Sequence, residues 1–149
     1  MKNFKELTHN TFTVMGKKTA DSIPLPLPYR VPIIVSSSDH PKFITIDHTK
    51  HNVLDYLQLS IEQGIDAVYS IIGGTSLLTV DNLTRCNEVY YTEFNREFPE
   101  ADTYLGKDVL KWLQEQDKEV LDECEEFTLY TPKTDFYEQN RYFYSSHEK

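Results

Sequence analysis

Long apolar runs are missing from this 149-residue sequence. No stretch approaches the ~20 apolar residues that a membrane-spanning helix needs. The start, MKNFKELTHN, has no apolar segment of signal-peptide length. No membrane association and a cytoplasmic location are therefore expected. Cysteine is scarce as well. Cys86 and Cys124 do not form a C-x-x-C pair, which leaves no zinc or redox motif and predicts two reduced thiols. Positive charge is in deficit, with 15 Lys and Arg against 24 Asp and Glu and a formal net charge of −9. Nucleic acid is not expected as a partner, because sequence-independent phosphate binding needs a basic surface. Any anionic ligand must be held by a few local cations. The five histidines are scattered, and His48 and His51 have no further ligand at metal-site spacing. No metal site is expected. There is no internal repeat and no linker, so residues 1–149 are read as one domain.

What the chain does hold is ordinary globular material, 39% hydrophobic and 26% charged, with ten Tyr and eight Phe favouring a sheet. Lys2 to Thr8 predicts a short helix, and Phe12 to Met15 a strand that stops at Gly16. Lys17-Lys18-Thr19 opens a second short helix. Pro24-Leu25-Pro26-Leu27-Pro28 is neither helix nor central strand, and reads as a stiff extended connector. Ile33 to Val35 is a buried-strand run ending at Ser36-Ser37-Ser38, and Phe43 to Ile46 is another short strand. Asn52 to Gln63 is the clearest helix: Val53, Leu57 and Ile61 recur four apart and Gly64 stands at the stop position.

Ala67 to Ile72 is an apolar run leading into Gly73-Gly74, and Thr75 to Val80 reads as a helix capped by Thr75. Val89 to Phe94 is a further strand, and Asp108 to Gln116 a helix with Val109, Trp112 and Leu113 inward. Phe127 to Tyr130 and Tyr137 to Tyr144 read as two strands joined by a turn at Pro132-Lys133-Thr134-Asp135. Strands alternating with helices over crossover-length connections predict an α/β fold with a largely parallel sheet. The seven acids between Glu115 and Glu126 read as a solvated face.

Several segments occur together in an order that resembles the dihydrofolate reductase family. They are Val14-Met15-Gly16-Lys17-Lys18-Thr19-Ala20-Asp21-Ser22-Ile23, then Pro26-Leu27-Pro28-Tyr29-Arg30, then Ile33-Ile34-Val35-Ser36. Downstream, Ile71-Ile72-Gly73-Gly74-Thr75, Glu88-Val89-Tyr90-Tyr91-Thr92 and Asp102-Thr103 continue the likeness, which runs from about Phe4 to Thr103. The resemblance implies a dihydrofolate-reductase-like, mostly parallel twisted sheet with flanking helices and an antiparallel C-terminal end. It also implies NADPH as cofactor and a folate-like small molecule as substrate.

Residue by residue, the resemblance assigns Gly16, Lys17, Lys18, Thr19, Ser36, Ser37, Gly73, Gly74, Thr75 and Ser76 to cofactor binding. Two lysines supply cations, and a Gly-Gly turn before a helix lets backbone N–H groups approach a phosphate. On the substrate side it assigns Phe4, Ile23, Leu27 and Ile72 as apolar contacts for the folate rings, with Thr92 near the pterin. Arg30, behind the Pro-Leu-Pro-Tyr turn, is assigned to a substrate carboxylate.

The sequence departs from the family pattern in places. Thr75 stands where a third glycine is usual, and Ser76 where many members place an Arg. The family's first strand, its mobile active-site loop and its acidic residue precede the Phe-Lys pair that Phe4-Lys5 resembles. Met1 stands only three residues before Phe4, so the expectation is that all three are missing here. Reduction of dihydrofolate should then be impaired, and no catalytic residue is assigned. A pseudoenzyme that binds a nucleotide, or an interaction protein reusing the fold, is the alternative. The missing strand is central in the family. The runs on either side, Ala67–Ile72 and Glu88–Phe94, are expected to close up and pair, or else to admit a strand from a protein partner or a second copy of the chain.

Overall fold

The computed structural model describes residues 2–23, 27–96, 99 and 104–135. The expected strand at Tyr137–Tyr144, the Asp102-Thr103 pair and the first half of the proline-rich connector lie outside them. The chain divides into two compact units, Met1–Leu77 and Leu78–Lys149.

In the first unit, α1 (Lys2–Thr8), β1 (Phe12–Gly16), α2 (Lys17–Ser22), β2 (Val31–Val35), β3 (Ile44–Ile46), α3 (Val53–Glu62) and β4 (Tyr69–Gly73) follow in order. The strands form an all-parallel sheet in the order β3-β2-β1-β4. Such sheets are covered on both faces, and the strands are apolar at consecutive positions for that reason. On one face Val14, Ile33, Val35 and Ile46 cluster with Val53, Leu54 and Leu57 of α3. On the other, Met15 and Ile34 cluster with Ala20 of α2, and Ile23, Phe43 and Ile72 pack at the margin.

Helix α3 is closed at both ends. The Asn52 side chain accepts from the Asp55 N–H at 3.1 Å. At the far end Gly64 takes φ +93°, its N–H donates to the Ile61 carbonyl, and the Ile65 N–H to that of Ser60. This is the glycine-terminated stop that the sequence predicts.

In the second unit, α4 (Val80–Leu83), β5 (Tyr91–Phe94), α5 (Lys107–Glu115), β6 (Lys118–Glu123) and β7 (Phe127–Pro132) form a helix pair and an antiparallel sheet of order β5-β7-β6. Val89, Val109 and Leu113 are its buried apolar centre, with Leu83, Cys86 and Trp112 against them.

Two expectations are corrected, and a third is extended. The helix after Gly73-Gly74 is not formed at Thr75; residues 75–77 turn instead, and α4 starts at Val80 with the Thr79 hydroxyl accepting from the Asn82 N–H. Thr79 is thus the capping residue, because its extended backbone directs the hydroxyl at a free first-turn donor. The acidic stretch is the exposed face expected, and it also contains a strand, β6, whose residues after Lys118 are all exposed; pairing with β7 outweighs its poor strand propensity. The expected pairing between the runs before and after Gly73-Gly74 is not made. β4 pairs with β1 in one sheet, and β5 with β7 in the other, where Tyr91 stacks on Tyr130 and Phe94 meets Phe127. Cross-strand aromatic pairs of this kind stabilise the antiparallel partner.

Thr13 is fully buried in β1, opposite Pro32 and Ser70, and its hydroxyl has no hydrogen-bond partner. A buried unpaired hydroxyl is destabilising and valine has the same shape. Thr13→Val should therefore raise stability by about 1 kcal/mol, read as a higher urea midpoint with unchanged slope. Cys86 donates to the Asn82 carbonyl, and burial pushes its thiol up to about 11, opposed by Arg85. Cys124 is exposed. At pH 8 a thiol reagent should modify Cys124 quickly and Cys86 about a hundredfold more slowly than an ordinary thiol. Cys124→Ser should leave the slow phase alone.

Candidate functional site

Parallel α/β sheets place ligands beyond the carboxyl ends of their strands. In the first unit those ends are Gly16 of β1, Val35 of β2 and Gly73 of β4. Gly16, Thr19, Gly73 and Gly74 come close together there. A methyl group added at Gly73, whose φ is +157°, would meet the Thr19 hydroxyl at 3.0 Å; one added at Gly16 would stand 3.5 Å from the Gly74 nitrogen. At Gly73 the positive φ and the close Thr19 hydroxyl favour glycine, whereas at Gly16 a methyl group would make an ordinary contact. The Gly73-Gly74 peptide is cis. With no helix starting at Thr75, the phosphate-binding dipole expected there is absent; Thr75 and Ser76 are exposed residues of a turn.

Beside this cluster lies a cavity of about 190 Å³, lined by Lys17, Ala20 and Asp21 of α2, Ile34 of β2, and Ser36, Ser38, Asp39, His40 and Pro41 of the loop that follows. Lys17 and Ser36 were expected at a cofactor site. Lys18 and Ser37 are exposed and do not line the cavity. Asp21, Ser38, Asp39 and His40 were missed, since a loop after a strand carries no periodicity from which to infer what faces inward. The loop is held locally. The Ser38 N–H donates to the Ser36 hydroxyl at 3.2 Å, the Thr45 hydroxyl to Asp39 Oδ1 at 3.1 Å, and the Lys42 N–H to His40 Nδ1 at 3.0 Å. The His40 ring lies on Phe43 at 4.9 Å.

Of the substrate-side candidates, Ile23 and Ile72 share the Met15 cluster. Phe4 is half-buried with the Arg30 guanidinium 5.9 Å from its ring centre. Leu27 is half-buried, and its carbonyl accepts from the Arg30 N–H.

Arg30 is more committed than the sequence suggests. Nε donates to the Thr8 hydroxyl at 2.7 Å, Nη2 to the Lys5 carbonyl at 2.6 Å, and Nη1 to the Pro28 carbonyl at 2.5 Å. A guanidinium has five N–H donors, so these bonds tie the end of α1 to the start of β2 and leave two for a carboxylate. Thr8 belongs to a hydroxyl chain: it donates to the Phe4 carbonyl, Thr11 donates to the Thr8 carbonyl, and Ser70 donates to Thr11.

In the second unit Thr92 is exposed in β5, opposite Leu129. Nearby, Tyr90 donates to the Glu88 carboxylate. Desolvation first, and that hydrogen bond second, push the Tyr90 hydroxyl up to about 12. Among the described residues no cluster of His, Cys, Asp or Glu is placed to hold a metal ion, and no helix is long and apolar enough to cross a membrane.

Comparison with known proteins bears on this arrangement in three ways. The sequence pattern of the dihydrofolate reductase family matches residues 1–134. A dihydrofolate reductase of Bacillus subtilis (strain 168) is 34% identical over 104 residues, which are 68% of this chain and 57% of that protein. The chain thus spans little more than half the length of this relative. In fold, it is similar to a solved dihydrofolate reductase from Enterococcus faecalis complexed with NADP(H) and RAB-propyl. The TM-score is 0.61 at 20% identity, over 89% of this chain and 80% of that one. With nine-tenths of its length matched by the family pattern and a mixed α/β architecture of the same kind, this chain belongs to the dihydrofolate reductase family.

Proposed function

We propose that the chain is a single dihydrofolate-reductase-like domain that binds NADPH, works in the cytoplasm on a folate-like substrate, and turns it over slowly on its own. The observation that carries the nucleotide part is the cavity at the end of β2, where Lys17 of α2 meets Ser36, Ser38 and His40 of the loop that follows, while the Gly73-Gly74 backbone approaches Thr19 of the same helix. These groups suit a phosphorylated dinucleotide. Lys17 offers a cation, the serine hydroxyls donate, and the Gly-Gly backbone can approach a pyrophosphate without a side chain between. NADPH, when bound, supplies a hydride to the substrate. The residues of this chain would hold and orient it.

Ile23, Leu27, Phe4 and Ile72 offer apolar surface to the substrate rings, and the two remaining Arg30 donors meet its carboxylate. Two features support slow turnover. The substrate-side residues that the resemblance carries over include no carboxylate, and general acid assistance is worth roughly 10²–10⁴-fold. Arg30 is also engaged in three internal bonds, which weakens its hold on substrate. A second reading, that of an interaction protein, is favoured by β4. It ends the parallel sheet, and its outer edge carries no ladder among the described residues, a place where a partner strand or a second copy could add.

With NADPH and dihydrofolate, turnover followed by NADPH oxidation should stay well below about one per second, because the carried-over substrate-side residues offer no carboxylate for acid assistance; a faster rate would exclude impairment. In calorimetry, Lys17→Ala should weaken NADPH by about tenfold or more and NADH much less, because a charge-assisted phosphate bond contributes roughly 1.5–3 kcal/mol. Equal losses for the two would remove Lys17 from the 2′-phosphate, and no binding of either by the unaltered chain would leave the interaction reading.

A further inference from the structure

We propose that Asp39 is a specificity-determining residue of the cavity at the ends of β1 and β2. Its carboxylate penalises a dinucleotide that carries a 2′-phosphate and admits one with a free 2′-hydroxyl. The inference rests on the nucleotide-binding role proposed above and concerns which dinucleotide that site prefers.

The charges around the cavity carry the argument. Lys17 is the single lysine or arginine among its lining residues, whereas Asp21 and Asp39 both line it. His40 Nδ1 accepts from the Lys42 N–H. Among the lining lysine and aspartate side chains, one cation stands against two carboxylates. A phosphate monoester brings a further −1.5 to −2 or thereabouts at neutral pH, so it enters a cavity that already holds excess negative charge.

The two acids are not equivalent. Both are exposed, Asp21 on α2 and Asp39 in the loop after β2. Asp39 differs in accepting a hydrogen bond from Thr45, a residue of β3, whose hydroxyl donates to Oδ1. Oδ2 is then available as an acceptor. A ribose 2′-hydroxyl can donate to it in a charge-assisted hydrogen bond. A 2′-phosphate is mostly dianionic above neutral pH and meets repulsion instead. An acidic side chain just beyond a strand that follows the first βα turn is the general device by which dinucleotide sites choose the unphosphorylated ribose. Lys17 keeps some phosphate affinity, so the outcome is weak discrimination and not exclusion.

The test measures dissociation constants of NADPH and NADH by calorimetry at pH 8, for the unaltered chain and for Asp39→Asn. Asparagine keeps an oxygen to accept from Thr45 and removes the charge, and far-UV circular dichroism checks that the fold is kept. The unaltered chain should prefer NADPH by less than about tenfold, and Asp39→Asn should raise that preference by about tenfold, chiefly through tighter NADPH. An unchanged preference in Asp39→Asn would overturn the proposal, as would a preference for NADPH already above about a hundredfold without substitution. A larger gain from Asp21→Asn than from Asp39→Asn would also overturn it by moving the determinant to α2. Failure of both dinucleotides to bind any of the proteins would remove the nucleotide-binding reading itself, a result distinct from tight binding with unaltered preference.

Discussion

Strand β1 is covered on both faces, and most of the first unit is built on that constraint. Val14 and Met15 are adjacent in sequence and both fully buried, so one must face α3 and the other α2. Two helices are therefore required, one per face, and the strands beside β1 must be apolar at consecutive positions too. Ile33 and Ile34 of β2 meet that demand in register with Val14 and Met15. Once β1 is clamped in this way, the position of its carboxyl end is fixed. Gly16, Lys17 and Thr19 leave the sheet at a point set by core packing.

The candidate site inherits its geometry from that exit point. Gly73 arrives from β4 on the other side of β1, and the absence of a side chain there lets the end of β4 come within contact of Thr19. The cavity forms where α2 and the loop after β2 diverge. Its polarity is mixed, with Lys17 and hydroxyls on one hand and two carboxylates on the other. Polar groups at a strand end can be this varied because water still reaches them, whereas the interior of β1 tolerates only Thr13 as an exception. At the opposite end of the sheet Arg30 does structural service. Its fork gathers the end of α1, the turn at Pro28 and the start of β2, so its ligand-binding capacity is what remains after those bonds.

The second unit follows another rule. Val109 and Leu113 of α5 pack with Val89 and with Tyr91 of β5, and Thr128 and Leu129 of β7, the central strand, are both buried. Strand β6 sits at the edge with Glu119, Asp122 and Glu123 exposed. Charges along an edge strand discourage pairing with another molecule, which gives the acidic run a structural use beyond solubility.

The sequence by itself determined the elements of the first unit and the stop of α3, because apolar spacing, Asn52 and Gly64 act within a few residues of one another. It also determined the family, through ordered segments from Val14 to Thr92, and the closeness of Lys17 to Thr19 within one short helix. Only the tertiary structure decided which of the expected groups meet. Gly73 reaches Thr19 across more than fifty residues of sequence, and Asp39 and His40 line the cavity though their loop has no period to reveal it. The same holds for the start of α4 at Val80, for β6 as a strand, and for the partner of β5. Each depends on a balance between local propensity and contacts with segments distant in the chain. Arg30 shows the reason most plainly: its side chain was readable as a cation, but the three oxygens that occupy it come from α1 and the turn before it, and only folding brings them within reach.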